Sequence, residues 1–195
     1  MKKFIVILGP DGCGKTTFSD ELSTRLKRSI IKIYTFKFIL PELSKFIFKK
    51  RKKILVRKHS GMVKPLLPLH STLLAVWYGI DFFLGHFIKL FSKYNLIICV
   101  RSYHDFFYQR AHRKLNVNIP KFFLSIGPTP DLIILLNRNP KQIYIDKNEL
   151  TEDEISIQYE RIRQLLGNEP NFIELNLSKD NKGQNEILKI LDYEN

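Results

Sequence analysis

Residues 3–17 read KFIVILGPDGCGKTT, and this stretch decides the class of fold that the chain can adopt. The apolar run KFIVIL predicts a short strand that is buried on both faces, as the strands of a parallel sheet are. The next residues, GPDGCGKT, satisfy the pattern G-x-x-x-x-G-K-[ST] in full. This pattern forms a phosphate-binding loop where it follows a strand and begins a helix, and both are predicted here. The stretch therefore predicts an α/β fold that binds a polyphosphate.

The residue types in the loop explain how a phosphate would be held. Glycine lets the backbone curl so that successive N–H groups point inward, and the following helix contributes the positive end of its dipole. The Lys15 ammonium would reach the β- and γ-phosphates, and the Thr16 hydroxyl would be a ligand of Mg²⁺. The expected nucleotide-binding residues are Gly9, Asp11, Gly12, Cys13, Gly14, Lys15, Thr16 and Thr17.

The remainder of the chain alternates apolar strands with helical patterns. Strands are predicted over residues 30–36, 95–100, 131–137 and 171–177, and helices over residues 15–28, 41–53, 69–93 and 151–166. Strands that alternate with helices build βαβ units with right-handed crossovers, which produce a parallel sheet covered by helices. The chain has no repeats and no low-complexity linker, so we expect residues 1–195 to form a single domain.

Length and composition argue against a disulfide-stabilised protein and against a membrane-spanning one. A chain of 195 residues is long enough for one domain with a full core. Cys13 and Cys99 stand in the loop and in an apolar run, so we expect no disulfide framework and a cytoplasmic location. The longest apolar stretch, residues 73–91, contains Asp81 and His86. Because a membrane-spanning helix needs about 20 largely uncharged residues, we expect a buried core helix there and no transmembrane segment.

The formal net charge of +13 is unevenly distributed. Between Leu43 and Ile80 there are nine Lys or Arg and no Asp or Glu, with the highest density in residues 49–58, KKRKKILVRK. One interpretation is a surface that attracts an anionic partner such as a phosphorylated substrate, anionic lipid or nucleic acid. The other is a solvated lysine-rich face without a partner, and a charge run alone does not decide between them.

With Asp11 inside the loop, GPDGCGKTT resembles the DGxGKTT form of thymidylate kinases. Residues 97–114, IICVRSYHDFFYQRAHRK, are similar to the third-strand segment of that family, and residues 128–140, PTPDLIILLNRNP, to its fourth strand. Residues 146–166, DKNELTEDEISIQYERIRQLL, are similar to its lid and the following helix, and residues 67–86 fit the long third helix of a divergent subgroup. The resemblance spans nearly the whole chain and indicates a thymidylate kinase-like P-loop kinase.

The resemblance implies a fold, an activity and cofactors. The fold would be a three-layer P-loop NTPase fold with five parallel strands in the order 2-3-1-4-5 and a lid-like segment at about residues 141–151. The activity would be transfer of the γ-phosphoryl group of ATP, with Mg²⁺, to a nucleoside monophosphate or another phosphorylated or sugar acceptor. Relatives often dimerise through a helical face, and the helix around Trp77 is the candidate for such a homodimer here; burial of this helix within the monomer is the alternative.

The resemblance also assigns roles to individual residues. Lys15, Arg101 and Lys147 become the catalytic candidates, because Arg101 falls on the arginine that holds the acceptor phosphate and Lys147 and Glu149 match the lid. A second cation from the lid is expected because phosphoryl transfer depends on charge neutralisation; Arg138 and Lys141 are further candidates. The expected acceptor-binding residues are Asp11, Lys37, Arg101, Tyr103 and Asp105. The alternatives are an exposed loop lysine at Lys147 and a structural ion pair of Arg101 with Asp105 or Asp131.

Two positions depart from the family pattern. Val100 stands where the family has the aspartate before the arginine, and Asn137 stands where an aspartate ends the fourth strand. A carboxylate at the first position orders Mg²⁺ and its waters, as the Walker B aspartate does elsewhere. Either Thr16 and the nucleotide hold the metal alone, or catalysis has been lost, or another carboxylate takes over: Asp105, Asp81 or Glu149. A catalytically weak nucleotide-binding protein is therefore an alternative function, and a protein that binds nucleic-acid ends through residues 49–58 is another.

Overall fold

The computed structural model describes residues 3–25, 31–35, 38–41, 43, 66–91 and 93–177, with the backbone alone for 31–35. The helices and strands follow in chain order: β1 (Lys3–Leu8), α1 (Lys15–Arg25), β2 (Ile31–Thr35), α2 (Pro68–Phe91), β3 (Leu96–Arg101), α3 (Asp105–Tyr108), a 3₁₀ turn (Arg110–His112), α4 (Asn118–Ile126), β4 (Leu132–Asn137), α5 (Pro140–Lys147), α6 (Glu152–Leu166) and β5 (Phe172–Asn176). The predicted helix over residues 41–53 and the basic stretch 49–58 lie almost entirely outside the described residues.

The strands form one parallel sheet of five strands in the order β2-β3-β1-β4-β5. β1 is the central strand, where Val6 lies opposite Cys99 of β3 on one side and Ile133 of β4 on the other. Every residue of β1 is buried, as are the first five residues of β3 and β4. Strands buried on both faces require helices on both faces, so the predicted α/β fold with a parallel sheet is confirmed.

The core is formed by the sheet together with apolar side chains of α1, α2 and α6. Phe18 and Leu22 lie four residues apart on α1, and both are fully buried, as the helical spacing predicts. Helix α6 begins where the sequence predicts, because the Thr151 hydroxyl accepts a hydrogen bond from the Glu154 N–H at 3.3 Å. Cys13 and Cys99 are both buried and free.

Helix α2 has eight buried residues, and the rest of its surface is less covered. It is the one helix among the described residues with the length and apolar composition of a membrane span, a property that a core helix of a soluble protein shares. Asp81, in the middle of α2, is buried and accepts hydrogen bonds from the N–H groups of Phe38, Ile39 and Leu40 at 2.6–2.7 Å. A carboxylate with three amide donors belongs to a folded interior, and it fixes the segment that follows β2.

Part of the lid-like segment expected at about residues 141–151 is helical. Residues 140–147 form helix α5, which packs against α6 and buries Ile143. The Asn139 side chain accepts a hydrogen bond from the Lys141 N–H at 2.9 Å, and Pro140 occupies the first turn. Asn148 ends the helix in the left-handed conformation, and Leu150 is again buried. The segment expected as a lid is therefore a short capped helix with a brief connection to α6.

Candidate nucleotide-binding site

The loop between β1 and α1 has the backbone that the glycine pattern predicts. Gly9 and Gly12 adopt φ of 145° and 94°, a region that residues with a side chain rarely enter. A Cβ at Gly9 would lie 2.6 Å from the Cys13 sulfur, which is closer than atoms approach. Only glycine therefore allows the chain to turn back at this point, with buried Cys13 packed inside the turn. The loop therefore curls as the glycine pattern predicts.

The Lys15 ammonium lies at the floor of this loop. Its side chain is buried, and Nζ donates hydrogen bonds to the carbonyl oxygens of Gly9 at 2.6 Å and Pro10 at 3.0 Å. The carboxylate of Asp11 lies 3.7 Å away, within ion-pair distance. These acceptors hold the buried ammonium in place beneath the loop. The ammonium adds positive charge where the loop amides converge.

Arg101 joins the end of β3 to the loop. Its guanidinium donates a hydrogen bond to the Asp11 carboxylate at 3.0 Å, and half of its side chain is exposed. Asp131, one of the structural partners considered for Arg101, instead pairs with Lys89 at 3.3 Å and accepts from the Phe4 N–H. Arg101 therefore lies at the carboxyl end of the sheet beside the loop, where α/β folds bind ligands.

The loop, the end of β3 and the end of α5 enclose one cavity of about 430 Å³, a volume typical of small-molecule sites. From the loop and α1 it is lined by Asp11, Gly12, Gly14, Lys15, Thr16 and Thr17. From the other elements it is lined by Val100, Arg101, Arg138, Asp146, Lys147 and Glu149. The structure thus brings together the three residues predicted to be catalytic, although they are up to 132 positions apart in the chain, from 15 to 147.

Helix α5 brings Lys147 over the loop. A Cβ at Gly12 would lie 3.3 Å from Cδ and 3.4 Å from Cβ of Lys147, so the two segments touch. Arg138 lines the same cavity, but its guanidinium pairs with the Asp146 carboxylate. Lys147 has no ion pair among the residues that the structure describes. Lys147 is therefore the cation whose charge remains available to a ligand, because the charge of Arg138 is balanced by Asp146. Lys141 does not line the cavity.

Asp146 was not singled out from the sequence. The sequence does indicate its partner, Arg138. The two side chains meet because Asp146 lies on helix α5, which the sequence analysis does not predict. The dipeptide Asn139-Pro140 is the signal that could have revealed it, because asparagine favours the position before a helix and proline its first turn.

Tyr103 does not lie on the wall of this cavity. Its hydroxyl donates a hydrogen bond to the Ala75 carbonyl oxygen at 2.8 Å, and its ring stacks on Phe82 with centroids 5.5 Å apart. Burial raises the pKa of this phenol above its ordinary value, so it remains a neutral donor. Tyr103 thus lies in the core beneath α2, and its role in acceptor binding stays a prediction.

Asp105 is likewise buried and fully engaged. One carboxylate oxygen accepts from the Tyr108 hydroxyl at 2.5 Å and the other from Gln109 Nε2 at 2.9 Å. Burial raises the pKa of Asp105 to about 6, although the Lys15 charge and the Tyr108 hydrogen bond oppose the rise. The Tyr108 hydroxyl also lies 3.4 Å from the Gly9 carbonyl oxygen. Asp105 therefore supports the loop from below through Tyr108, and its role toward an acceptor stays a prediction.

The missing carboxylates have different consequences. Val100 is buried and lines the cavity, so no charge is present at that point of the wall. Asn137 does not line the cavity; its side chain donates a hydrogen bond to Asn176 Oδ1 on β5 at 2.8 Å. Of the substitutes considered, Asp105 and Asp81 are engaged in the core, and Glu149 alone lines the cavity.

The residues present fit a metal that is bound through a nucleotide. The described residues contain no group of three His, Cys, Asp or Glu side chains that could hold an ion. Magnesium does not require such a group, because it keeps several waters and binds phosphates together with one or two side chains. Thr16 is exposed to the cavity at the first turn of α1 and supplies such a ligand. Lys37 lies outside the described residues.

Comparisons with known proteins agree with this geometry. The chain is 34% identical over 160 residues to the thymidylate kinase of Prochlorococcus marinus (strain AS9601). The aligned region covers 77% of this chain and 73% of the relative. No family model matches the chain. The fold is similar to a thymidylate kinase structure from Candida albicans, with a TM-score of 0.63 and 17% identity over 99% of this chain and 92% of the other. It is also similar to a thymidylate kinase structure from Ehrlichia chaffeensis, with a TM-score of 0.59 and 16% identity over 97% of this chain and 98% of the other. The chain belongs to the thymidylate kinase family.

Proposed function

We propose that this protein is an ATP-dependent kinase that transfers the γ-phosphoryl group of ATP to a phosphorylated small molecule, such as a nucleoside monophosphate. The observation that carries the proposal is the Asp11 carboxylate, which contacts both Lys15 of the donor loop and Arg101 at the end of β3. A donor site and an acceptor site that share one side chain place their two ligands next to each other. Such proximity is the main requirement of phosphoryl transfer.

On the donor side, the loop amides and Lys15 would hold the β- and γ-phosphates. Thr16 would hold Mg²⁺, and the metal supplies charge neutralisation between the phosphate oxygens. Lys147, which lies against Gly12, would contribute the second cation above the γ-phosphate. With no carboxylate at Val100, positioning of the metal depends on Thr16 and on Glu149 across the cavity.

On the acceptor side, Arg101 is the group that would hold a phosphate. Its planar guanidinium fits two phosphate oxygens, and an incoming phosphate would compete with Asp11 for it. A phosphate oxygen is already ionised near neutral pH, with a second pKa of about 6, so it needs no general base to attack. This agrees with the position of Asp105, the base considered for a hydroxyl acceptor, whose two oxygens are both engaged in the core.

The experiment is a transfer assay with γ-labelled ATP, Mg²⁺ and a panel of nucleoside monophosphates and sugar phosphates. We expect labelled product from at least one phosphorylated acceptor, and none from Lys15→Ala. A catalytically weak nucleotide-binding protein is the second candidate, favoured by the apolar wall at Val100. ATP binding without transfer to any member of the panel would establish that candidate instead.

We also propose that the protein acts as a homodimer in the cytoplasm. The exposed apolar side chains of α2 recur at alternating intervals of four and three residues, which is the pattern of a helix seam that packs against another helix. They are Leu69, Leu73, Val76, Ile80, Phe83, Phe87 and Leu90. At about half of a side chain's area each, with Leu67 and Phe91, they present roughly 700–900 Å², comparable to the contribution of one partner to a stable interface. A second copy of this chain offers a matching surface by symmetry.

A further inference from the structure

A second cavity lies on the other side of α3. Its volume is about 350 Å³, and its walls come from α3, the turn that follows it, α4 and the C-terminal half of α6. It shares no lining residue with the nucleotide cavity. Its size falls within the range of small-molecule sites, and nothing in the proposed kinase reaction uses it.

The charges around this cavity all have one sign. Arg113, Lys121 and Arg161 line it from three separate segments, and the described lining residues include no Asp or Glu. None of these cations makes an ion pair within the part of the chain that the structure describes. Like charges that converge on one concavity repel each other, and a bound anion removes that repulsion. The nucleotide cavity differs, because three carboxylates accompany its cations.

The remaining wall is apolar and in part aromatic. Phe107, Leu115 and Leu165 lie on it, and Val117 is 52% exposed beside them. His112 also lines the cavity, but its Nδ1 lies 2.8 Å from the Ser71 hydroxyl and burial lowers its pKa to about 4. The imidazole is therefore neutral near pH 7. The cavity combines three cations with an apolar surface that water solvates poorly.

We propose that this cavity is a second ligand site, which binds a small organic phosphate with an aromatic or apolar body. Arg113 and Arg161 present guanidinium groups, whose paired N–H donors match phosphate oxygens, and Lys121 adds a third positive charge. A phosphate dianion balances three cations better than a carboxylate does. The apolar body would cover Phe107, Leu165 and Val117, which excludes water from the charged contacts.

The test uses phenyl phosphate as the probe in titration calorimetry with the full-length Lys15→Ala variant, in which the nucleotide loop is weakened. We expect saturable binding with Kd below about 1 mM and at least about tenfold weaker binding of inorganic phosphate, benzoate and phenol, which each lack one part of the recognised chemistry. In the Arg113→Gln, Arg161→Gln double variant on the same background, the affinity should fall by at least about tenfold.

Lys114→Gln is the matched control, since Lys114 is an exposed cation next to Arg113 that does not line the cavity. It should change the affinity by less than about twofold. The double variant should keep or raise the Tm, because Arg113 is exposed, Arg161 is half-buried and neither makes an ion pair among the described residues. An unchanged Tm distinguishes a binding loss from unfolding. Absence of saturation, equal affinity in the double variant, or equally tight binding of benzoate would overturn the proposal.

Discussion

The Asp11–Arg101 contact is where a single residue links the two halves of the proposed reaction. The resemblance assigns both Asp11 and Arg101 to the acceptor site, but it does not predict their direct hydrogen bond, which joins residues 90 positions apart in the chain. Tyr103 and Asp105 show the opposite limit. The sequence places them next to Arg101, but Tyr103 in the turn before α3 and Asp105 at the start of α3 both have side chains in the core, where each finds hydrogen-bond partners. Adjacency along the chain predicts neither direction nor burial.

Replacement of Arg101 by alanine should weaken acceptor use far more than ATP binding. The guanidinium is the one cation at the end of β3 in the nucleotide cavity, whereas the donor phosphates have Lys15 and the loop amides. We expect the acceptor KM to rise by about 10–100-fold, as for loss of a charge-assisted contact, and the ATP Kd to change by less than about threefold. Steady-state kinetics and calorimetry measure the two effects. Arg101→Lys keeps the charge without the planar fork, so its acceptor KM should lie between the values for the parent and for Arg101→Ala. Equal losses for ATP and acceptor would contradict the assignment.

Asp105 should make the stability of the protein depend on pH between about 4 and 6. Its pKa is raised to about 6 in the folded state from an ordinary value of 3.8. The folded state therefore holds this proton more tightly than the unfolded state does. The stability from this group is complete below pH 4, falls as the pH rises to about 6 and is constant above that.

Asp105→Asn, which cannot ionise, should remove this contribution. Between pH 4 and pH 7, the unfolding free energy of the parent should fall by about 2 kcal/mol relative to that of the variant. Urea unfolding at several pH values measures it, with Asp20→Asn on the exposed face of α1 as the control. A difference that is flat across this range would show that Asp105 titrates normally.

At the scale of elements, the sequence predicts best where burial is complete. β1, β3 and β4 were found within one residue of their observed bounds, because a wholly apolar run between turn signals has few alternatives. Helix α5 was missed because one residue of its eight is buried, so that no apolar stripe marks it. Its position decides the site, since the turn of α5 places Lys147 against Gly12 and pairs Asp146 with Arg138.

The exposed apolar side chains of α2, from Leu69 to Leu90, form an apolar stripe that predicts a dimer in solution. A chain of 23.0 kDa should give a particle of twice that mass by light scattering at micromolar concentration. Ile80→Glu and Phe83→Glu place charges in the middle of the stripe, and each should yield a monomer because an unpaired charge is costly in an apolar interface. Ile145→Glu on α5 is the control, since Ile145 is 68% exposed but lies off the stripe, and it should leave the dimer intact. A monomeric parent that binds lipid vesicles through α2 would instead favour a membrane contact.

For the whole molecule, the two cavities differ in the balance of charge among their lining residues. The nucleotide cavity is lined by four cations, Lys15, Arg101, Arg138 and Lys147, and by three carboxylates, so the charges of its lining residues nearly balance. The second cavity holds three cations without a carboxylate among its described residues. A basic surface draws anions to both, but only the first has the backbone cradle that a polyphosphate requires.

Nucleotide binding should therefore stabilise the entire fold through that cradle. The loop continues from the central strand β1 and leads into α1, and Lys15 is buried against it, so a ligand there binds the native state and not the unfolded chain. ATP with Mg²⁺ at about 100 times its Kd contributes about 2.7 kcal/mol, which for a domain of this size corresponds to a rise in Tm of about 5–10 °C. Scanning fluorimetry should show this rise in the parent and in Lys114→Gln, and less than about 2 °C in Lys15→Ala. If Lys15→Ala were stabilised as much as the parent, the nucleotide would have to bind elsewhere, because no ligand of this loop can be indifferent to the one ammonium group at its floor.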